Sequence, residues 1–262
     1  VLTFIDRSRT LTYPGGVPQP RRLVTIVRYP RGAGPFPLVV FGHGFAVTPA
    51  IYAALLEHWA HAGYVVAAPV FPLGNADAPG GPNESDLVNQ PADVSFVISR
   101  LLASSARGAG LPRGIVDPRR VAVSGQSDGG DTALSVAYDV HWHDPRIRAV
   151  VILSGQEIPG VGGYTFPAPA PPLLATQGLA DTINLPSTTY QFFDAAPRPK
   201  YLLTLPGASH LGPYTDEQPQ LGVVERVTTA FLDLYLKGEP AARARLLAAG
   251  DRSGVAELSA EP

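Results

Sequence analysis

Two rhythms of apolar residues alternate along this chain. Unbroken apolar runs at 37–41, 64–68, 121–123, 149–153, 173–176 and 201–205 read as strands buried on both faces, since a strand with one wet face would alternate apolar and polar positions. A looser alternation at 22–29 predicts one more strand, followed by a turn at 30–34. Between the runs, apolar residues recur at helical spacing. This predicts helices over 49–61 (Ile51, Leu55, Trp59, with Gly63 as C-cap), 92–104 (Val94, Val97, Ile98, Leu101, Leu102), 128–138, 188–194 and 223–236 (Phe231 and Leu232 inward). Buried strands alternating with amphipathic helices mean an α/β fold, with a mostly parallel central sheet and helices on both faces. No repeat and no Gly/Ser linker divides the chain, so residues 1–262 are expected to form one domain. Residues 75–89 form a Gly/Pro/Asp-rich loop without periodicity. Residues 154–171 form a Gly- and Pro-rich loop, too short for a separate lid domain. The tail 239–262 is Ala/Arg-rich, then Gly/Ser-rich, and is expected to be a loosely ordered, fraying helix without chemistry.

Composition narrows the functional classes. With 262 residues, 45% apolar and 16% charged, the chain suits one globular enzyme domain. A net charge of −2 without a basic block argues against a nucleic-acid partner. No run approaches the roughly 18 apolar residues of a membrane span. The absence of Cys excludes disulfides, thiolate metal sites and a cysteine nucleophile. Arg supplies 18 of the 20 basic residues, read as coding bias or a rigid surface. The chain starts at Val1 and has no Met. A cleaved export signal is the expectation, placing the protein outside the cell or in the periplasm, with the cytoplasm left open.

The strongest chemical signal is Gly125-Gln126-Ser127-Asp128-Gly129, a G-x-S-x-G between a strand and a helix. This is a nucleophile elbow: a strained turn lifts the Ser127 hydroxyl above the sheet edge, and flanking glycines admit the close approach of neighbouring backbone. The Asp128 N–H, at the positive end of the helix, becomes one oxyanion donor. Gly42-His43-Gly44-Phe45 follows an earlier strand, and the loop there supplies the second donor, assigned to the Phe45 N–H. His43 is read as ordering that loop. The order Ser, Asp, His demanded by this arrangement selects Asp181, at the end of the 173–176 strand, and His210, just after the 201–205 strand. Asp194 and Asp144 are weaker rivals, lacking a strand-end position. His141 and His143 form an H-x-H without a clear third ligand, so no metal and no cofactor are expected. His58 and His61 are read as structural.

These motifs resemble the dienelactone-hydrolase-like, platelet-activating-factor-acetylhydrolase-like and chlorophyllase-like branch of the α/β-hydrolase superfamily. More distantly they are similar to bacterial cutinases and polyester hydrolases. The resemblance rests on 37–45, 63–69, 93–102, 117–130, 178–181 and 207–210. It implies an α/β-hydrolase fold, a Ser127–His210–Asp181 triad and no cofactor. True dienelactone hydrolases carry Cys where this chain has Ser127, which favours ordinary esters. Polyester hydrolases usually carry an aromatic residue, often Tyr, at the Phe45 position, Met at the Asp128 position and a Trp in the loop that here reads Ser154-Gly155-Gln156-Glu157, which has none. The expected function is carboxylic ester hydrolysis through an acyl-enzyme, on short-to-medium acyl esters. The alternatives are a cutinase-like polyester hydrolase, an acyltransferase with the same triad and, remotely, a catalytically silent binding protein. The partner is a small-molecule or polymeric ester, and the protein is expected to be a monomer or weak oligomer. Gly44, Phe45, Gln126, Gln156, Glu157 and Tyr214 are expected to line the substrate cleft. The Asp128 carboxylate either faces that cleft or turns away to cap the helix, and the sequence leaves both open.

Overall fold

The computed structural model describes residues 1–262. The elements run β1 (Leu2–Leu11), β2 (Gln19–Arg28), β3 (Phe36–Gly42), α1 (Ala53–His61), β4 (Val65–Val70), α2 (Gln90–Arg107), β5 (Val116–Gln126), α3 (Asp128–Tyr138), β6 (Ile147–Leu153), β7 (Leu173–Gly178), α4 (Pro186–Ala195), β8 (Lys200–Leu205), α5 (Gly212–Thr215), α6 (Gln220–Leu232), α7 (Ala242–Gly250) and β9 (Glu257–Glu261). One sheet holds all nine strands, in the order β1-β2-β4-β3-β5-β6-β7-β8-β9. From β4 to β8 the strands are parallel, and β2 and β9 pair antiparallel at the two flanks.

The unbroken apolar runs follow from this layering. Within β3, Leu38 and Val40 face one core, Val39 and Phe41 the other. Val121 and Val123 of β5 likewise oppose Ala122. The first core is closed by α2, α3 and α4 through residues such as Val97, Ile98, Leu134 and Phe192. The second is closed by α1, α6 and α7 through Leu55, Trp59, Val227, Phe231 and Leu246. Truncating such a buried leucine to alanine costs about 2–5 kcal/mol.

Two parts of the chain depart from the expectation. Residues 2–11 form an edge strand, which shows little apolar alternation because its polar positions are used locally: Asp6 accepts bonds from the Ser8 hydroxyl (2.6 Å) and Arg9 Nε (2.7 Å). The tail is not loosely ordered. Leu246 of α7 is fully buried, and Arg245 bonds Asp233 at 2.8 Å. Residues 257–261 then pair with β8 from Lys200↔Glu261 to Thr204↔Glu257 and cover that sheet edge. The short β9 then becomes the outer strand of the sheet.

A buried ionic cluster fixes the loop between β4 and α2. Arg21, only 2% exposed, reaches from β2 and holds Asp86 through two bonds of 2.8 Å and Asp93 through bonds of 2.9 and 2.6 Å. The short helical turn Glu84–Asn89 is thereby held beside the carboxyl ends of the parallel strands. Removing Arg21 would take the cation from buried Asp86 and leave Asp93 only Arg9 Nη2 at 2.8 Å, a loss of about 3–5 kcal/mol.

Candidate active site

At the end of β5 the chain turns sharply into α3. Ser127 sits at φ 55°, ψ −128°, a strained conformation for a side chain with a Cβ, held by the bond from its N–H to the Leu153 carbonyl (3.0 Å). The turn needs glycine on both sides. A Cβ on Gly125 would collide with the Gly129 backbone, and one on Gly129 with the backbone of Gly42. The serine is 9% exposed, at the carboxyl edge of the sheet where parallel α/β sheets place their ligands.

Strand ends β7 and β8 bring the other two residues to it. His210 Nε2 lies 2.8 Å from Ser127 Oγ, and His210 Nδ1 lies 2.7 Å from Asp181 Oδ2. Asp181 Oδ1 accepts the N–H groups of Ile183 (2.8 Å) and Asn184 (3.0 Å). Burial by itself would raise the Asp181 carboxyl, but the His210 bond and these two N–H groups outweigh it and hold it below the usual carboxylate range. The rival acids are elsewhere: Asp194 is exposed on α4, and Asp144 is engaged by Arg146. His141 packs edge-on against Trp142, and no group of three or more metal-ligating side chains forms anywhere in the chain.

The two expected oxyanion donors belong to Asp128, which follows the serine, and to Phe45, in the loop that approaches it at Gly44. The Phe45 N–H has no backbone acceptor, and the Asp128 N–H opens α3, where the first turn lacks intrahelical acceptors. The loop carrying Phe45 is held by His43. Its Nε2 accepts the Phe71 N–H (3.0 Å), so Nδ1 carries the proton and donates to the Gly44 carbonyl (2.8 Å). Burial depresses the His43 imidazole to about 4, which keeps it neutral in this role.

Of the six residues expected to line the cleft, Gly44 and Phe45 lie beside the nucleophile. A Cβ on Gly44 would stand 3.2 Å from Ser127 Cβ, so only glycine lets the loop approach this closely. Gln156 and Glu157 are half-buried and border a depression of about 230 Å³ shared with α4. Tyr214 is not a cleft wall. It is fully buried, and its hydroxyl is shared by Ser154 Oγ (2.8 Å) and Thr176 Oγ1 (3.1 Å), because the short α5 turns its ring into the second core.

Gln126 has a different place from the one expected. It is 1% exposed and lies beneath the site. The Gly44 N–H donates to the Tyr52 hydroxyl (3.2 Å), which donates to Gln126 Oε1 (2.7 Å). Gln126 Nε2 then donates to the His210 carbonyl (2.9 Å) and lies 3.2 Å from His210 Nε2. Since the Tyr52 hydroxyl already accepts the Gly44 N–H, its proton goes to Gln126, which fixes the orientation of the amide. Tyr52 and Gln126 thus tie the loop at Gly44 to the loop that carries His210. Tyr52 carries no signal in the sequence beyond its place in a helical stretch, since the partners are 74 residues apart.

Asp128 does not cap α3. Its Oδ2 is buried without a hydrogen-bond partner. Burial, reinforced by the nearby Glu84 carboxylate and opposed by His210, pushes its carboxyl up to about 6.

A model of the chlorophyllase family matches residues 8–169. The chain belongs to the chlorophyllase family. It therefore has the α/β-hydrolase fold, as the nine-stranded, mostly parallel sheet independently shows. Chlorophyllase-1 of Arabidopsis thaliana is 32% identical over 149 residues, 56% of this chain and 42% of the relative. The chain thus spans less than half the length of that relative. The matched stretch includes Phe45, Ser127 and Asp128 and ends before Asp181 and His210, whose assignment rests on the geometry alone.

Proposed function

We propose that the chain is a serine ester hydrolase that works through an acyl-enzyme. The observation that carries this reading is the unbroken chain Asp181–His210–Ser127, at 2.7 and 2.8 Å, set on a strained elbow between two free N–H groups. In this reading Ser127 Oγ attacks the ester carbonyl while His210 Nε2 takes its proton. The carbonyl oxygen becomes an oxyanion and accepts bonds from the Phe45 and Asp128 N–H groups, each worth about 10²–10³ in rate. His210 then gives its proton to the departing alkoxide. Water repeats the sequence on the acyl-enzyme, releasing the acid and restoring the serine. Asp181 keeps the imidazole in the tautomer with Nδ1 protonated and stabilises the imidazolium.

The reach of the site favours short-to-medium acyl groups. The loop 154–171 does not arch over Ser127; it runs down along α3. The Tyr164 hydroxyl meets Ser135 Oγ (2.8 Å), the Val140 N–H donates to the Gly163 carbonyl (3.0 Å), and the Tyr138 hydroxyl donates to the Pro171 carbonyl (2.8 Å). A cleft without a cover buries few methylenes, each worth about 0.8 kcal/mol. A panel of p-nitrophenyl esters of rising chain length, with chlorophyll added because of the relative's name, tests the reading. Hydrolysis of the short esters, abolished in a folded Ser127→Ala variant, is the expected result. Retained hydrolysis in that variant, or a jump in activity at the onset of substrate micelles, would overturn the assignment of nucleophile or of open cleft respectively.

A further inference from the structure

Charge is segregated in this molecule, and the segregation coincides with the site. The parallel strands β3 to β8 deliver their carboxyl ends to the segments 43–52, 71–89, 127–131, 154–172, 179–185 and 206–219. These segments contain Asp77, Glu84, Asp86, Asp128, Asp131, Glu157, Asp181, Asp216 and Glu217, and none of the 20 Lys and Arg residues of the chain. A few of these carboxylates are accounted for. Asp86 is neutralised by Arg21, and Asp181 belongs to His210. Asp131 is buried and accepts the Gln156 N–H at 2.7 Å; burial raises its carboxyl well above the usual carboxylate range. Glu84 is exposed with no basic partner, and Asp128 is next to the nucleophile, 7% exposed, with a buried oxygen that no group in the protein satisfies.

We propose that Asp128 and Glu84 make this site select esters that carry a positive charge, such as an ammonium group on the acyl or alcohol part, over neutral ones, and reject anionic esters. The inference rests on the reading of Ser127 as an ester-cleaving nucleophile. Two physical effects support it. An unpaired buried carboxylate is costly to keep, and a ligand cation held nearby lowers that cost through space, without touching the buried oxygen itself. The acidic segments also raise the local concentration of cations at the mouth of the site; Arg21 and Arg9 reach this loop but are bonded to Asp86 and Asp93, and neither pairs with Asp128 or Glu84. Near neutral pH the Asp128 carboxyl is ionised, since burial and Glu84 raise it only to about 6. The start of α3 further favours its anionic form.

The test compares p-nitrophenyl esters of one acyl length ending in trimethylammonium, in tert-butyl or in carboxylate. The first two have the same shape and differ in charge alone. At neutral pH and low salt, kcat/KM is expected to fall in that order, by roughly tenfold or more between the cationic and the anionic ester, and to converge as salt is raised. Asp128→Asn and Glu84→Gln should each compress the cation-to-anion ratio, and the double variant should bring it near one. The ratio divides out any general loss of turnover, and the exposed Glu84→Gln serves if Asp128→Asn folds poorly. Cleavage of the neutral ester with no charge preference overturns this inference and leaves the ester-hydrolase reading standing. Failure to cleave any of the three overturns that reading, and this inference with it. A preference that survives in the double variant overturns the assignment to these two residues.

Discussion

The turn after β7 and the turn after β5 each carry a carboxylate whose charge His210 feels, and they treat it in opposite ways. After β7, Asp181 receives the His210 ring and the N–H groups of Ile183 and Asn184, so its charge is more than compensated for burial. After β5, Asp128 is also buried, has a partnerless oxygen and lies in the field of a second carboxylate, Glu84. The first turn builds its partners out of its own backbone. The second supplies no such partner. Identical chemistry at two strand ends thus becomes an orienting group in one case and an unsatisfied, titratable group in the other, a form of stored strain that belongs to functional positions.

The largest effect that separates the two turns is catalytic. Asp181→Asn is expected to lower kcat by about 10³–10⁴, because the amide no longer selects the productive tautomer of His210. Asp128→Asn keeps both N–H donors and should cost a neutral ester far less. Steady-state kinetics on one short neutral ester decides it, and equal losses in the two variants would erase the distinction drawn here.

Stability should separate them with opposite sign. The folded Asp128 carboxyl lies near 6, above its ordinary value of 3.8. Its favourable contribution is therefore complete below about pH 4 and is lost as pH rises through 6, an effect on the order of 3 kcal/mol. Asp128→Asn should thus be more stable than the parent at pH 8 by up to that amount and gain little at pH 4. Asp181 is held low, so its contribution is present above the ordinary carboxylate range and is lost as pH falls through its folded value. Asp181→Asn should be less stable than the parent at pH 8. Denaturant melts of the three proteins at both pH values measure this, and a destabilised Asp128→Asn at pH 8 would contradict the account of that turn.

A smaller effect tests how the base is held. Gln126→Leu removes the amide between Tyr52 and the His210 carbonyl, leaving the Tyr52 proton without an acceptor and that carbonyl without a donor, at a cost of about 1–3 kcal/mol. The loss should appear in kcat with KM little changed, because Gln126 lies beneath the site and not in the cleft. A rise in KM alone would return Gln126 to the cleft lining. The smallest expected effect is at Tyr214→Phe, where loss of the shared hydroxyl should cost about 1 kcal/mol of stability. Ester turnover by that variant should match the parent, and a changed acyl-length profile would show that the ring does reach substrate.

The sequence alone determined the strand runs, the elbow and the three residues, Ser127, Asp181 and His210, that the fold brings together. Each is a local pattern: two-faced burial makes an apolar run, and a strained strand-to-helix turn demands glycine at Gly125 and Gly129 whatever surrounds it. It did not determine β1 or the tail, whose strand character comes from pairing with β2 and β8 and not from their own composition. Nor did it determine which way a side chain near Ser127 points. Tyr214 faces the core, Gln126 reaches down to Tyr52 and His210, and Asp128 neither caps its helix nor finds a partner. Those outcomes depend on groups 38 to 84 residues away along the chain, brought within hydrogen-bond distance only when the strands take their places in the sheet. Local geometry is encoded locally, whereas the satisfaction of a buried polar group is a property of everything packed around it, and only the tertiary structure decides it.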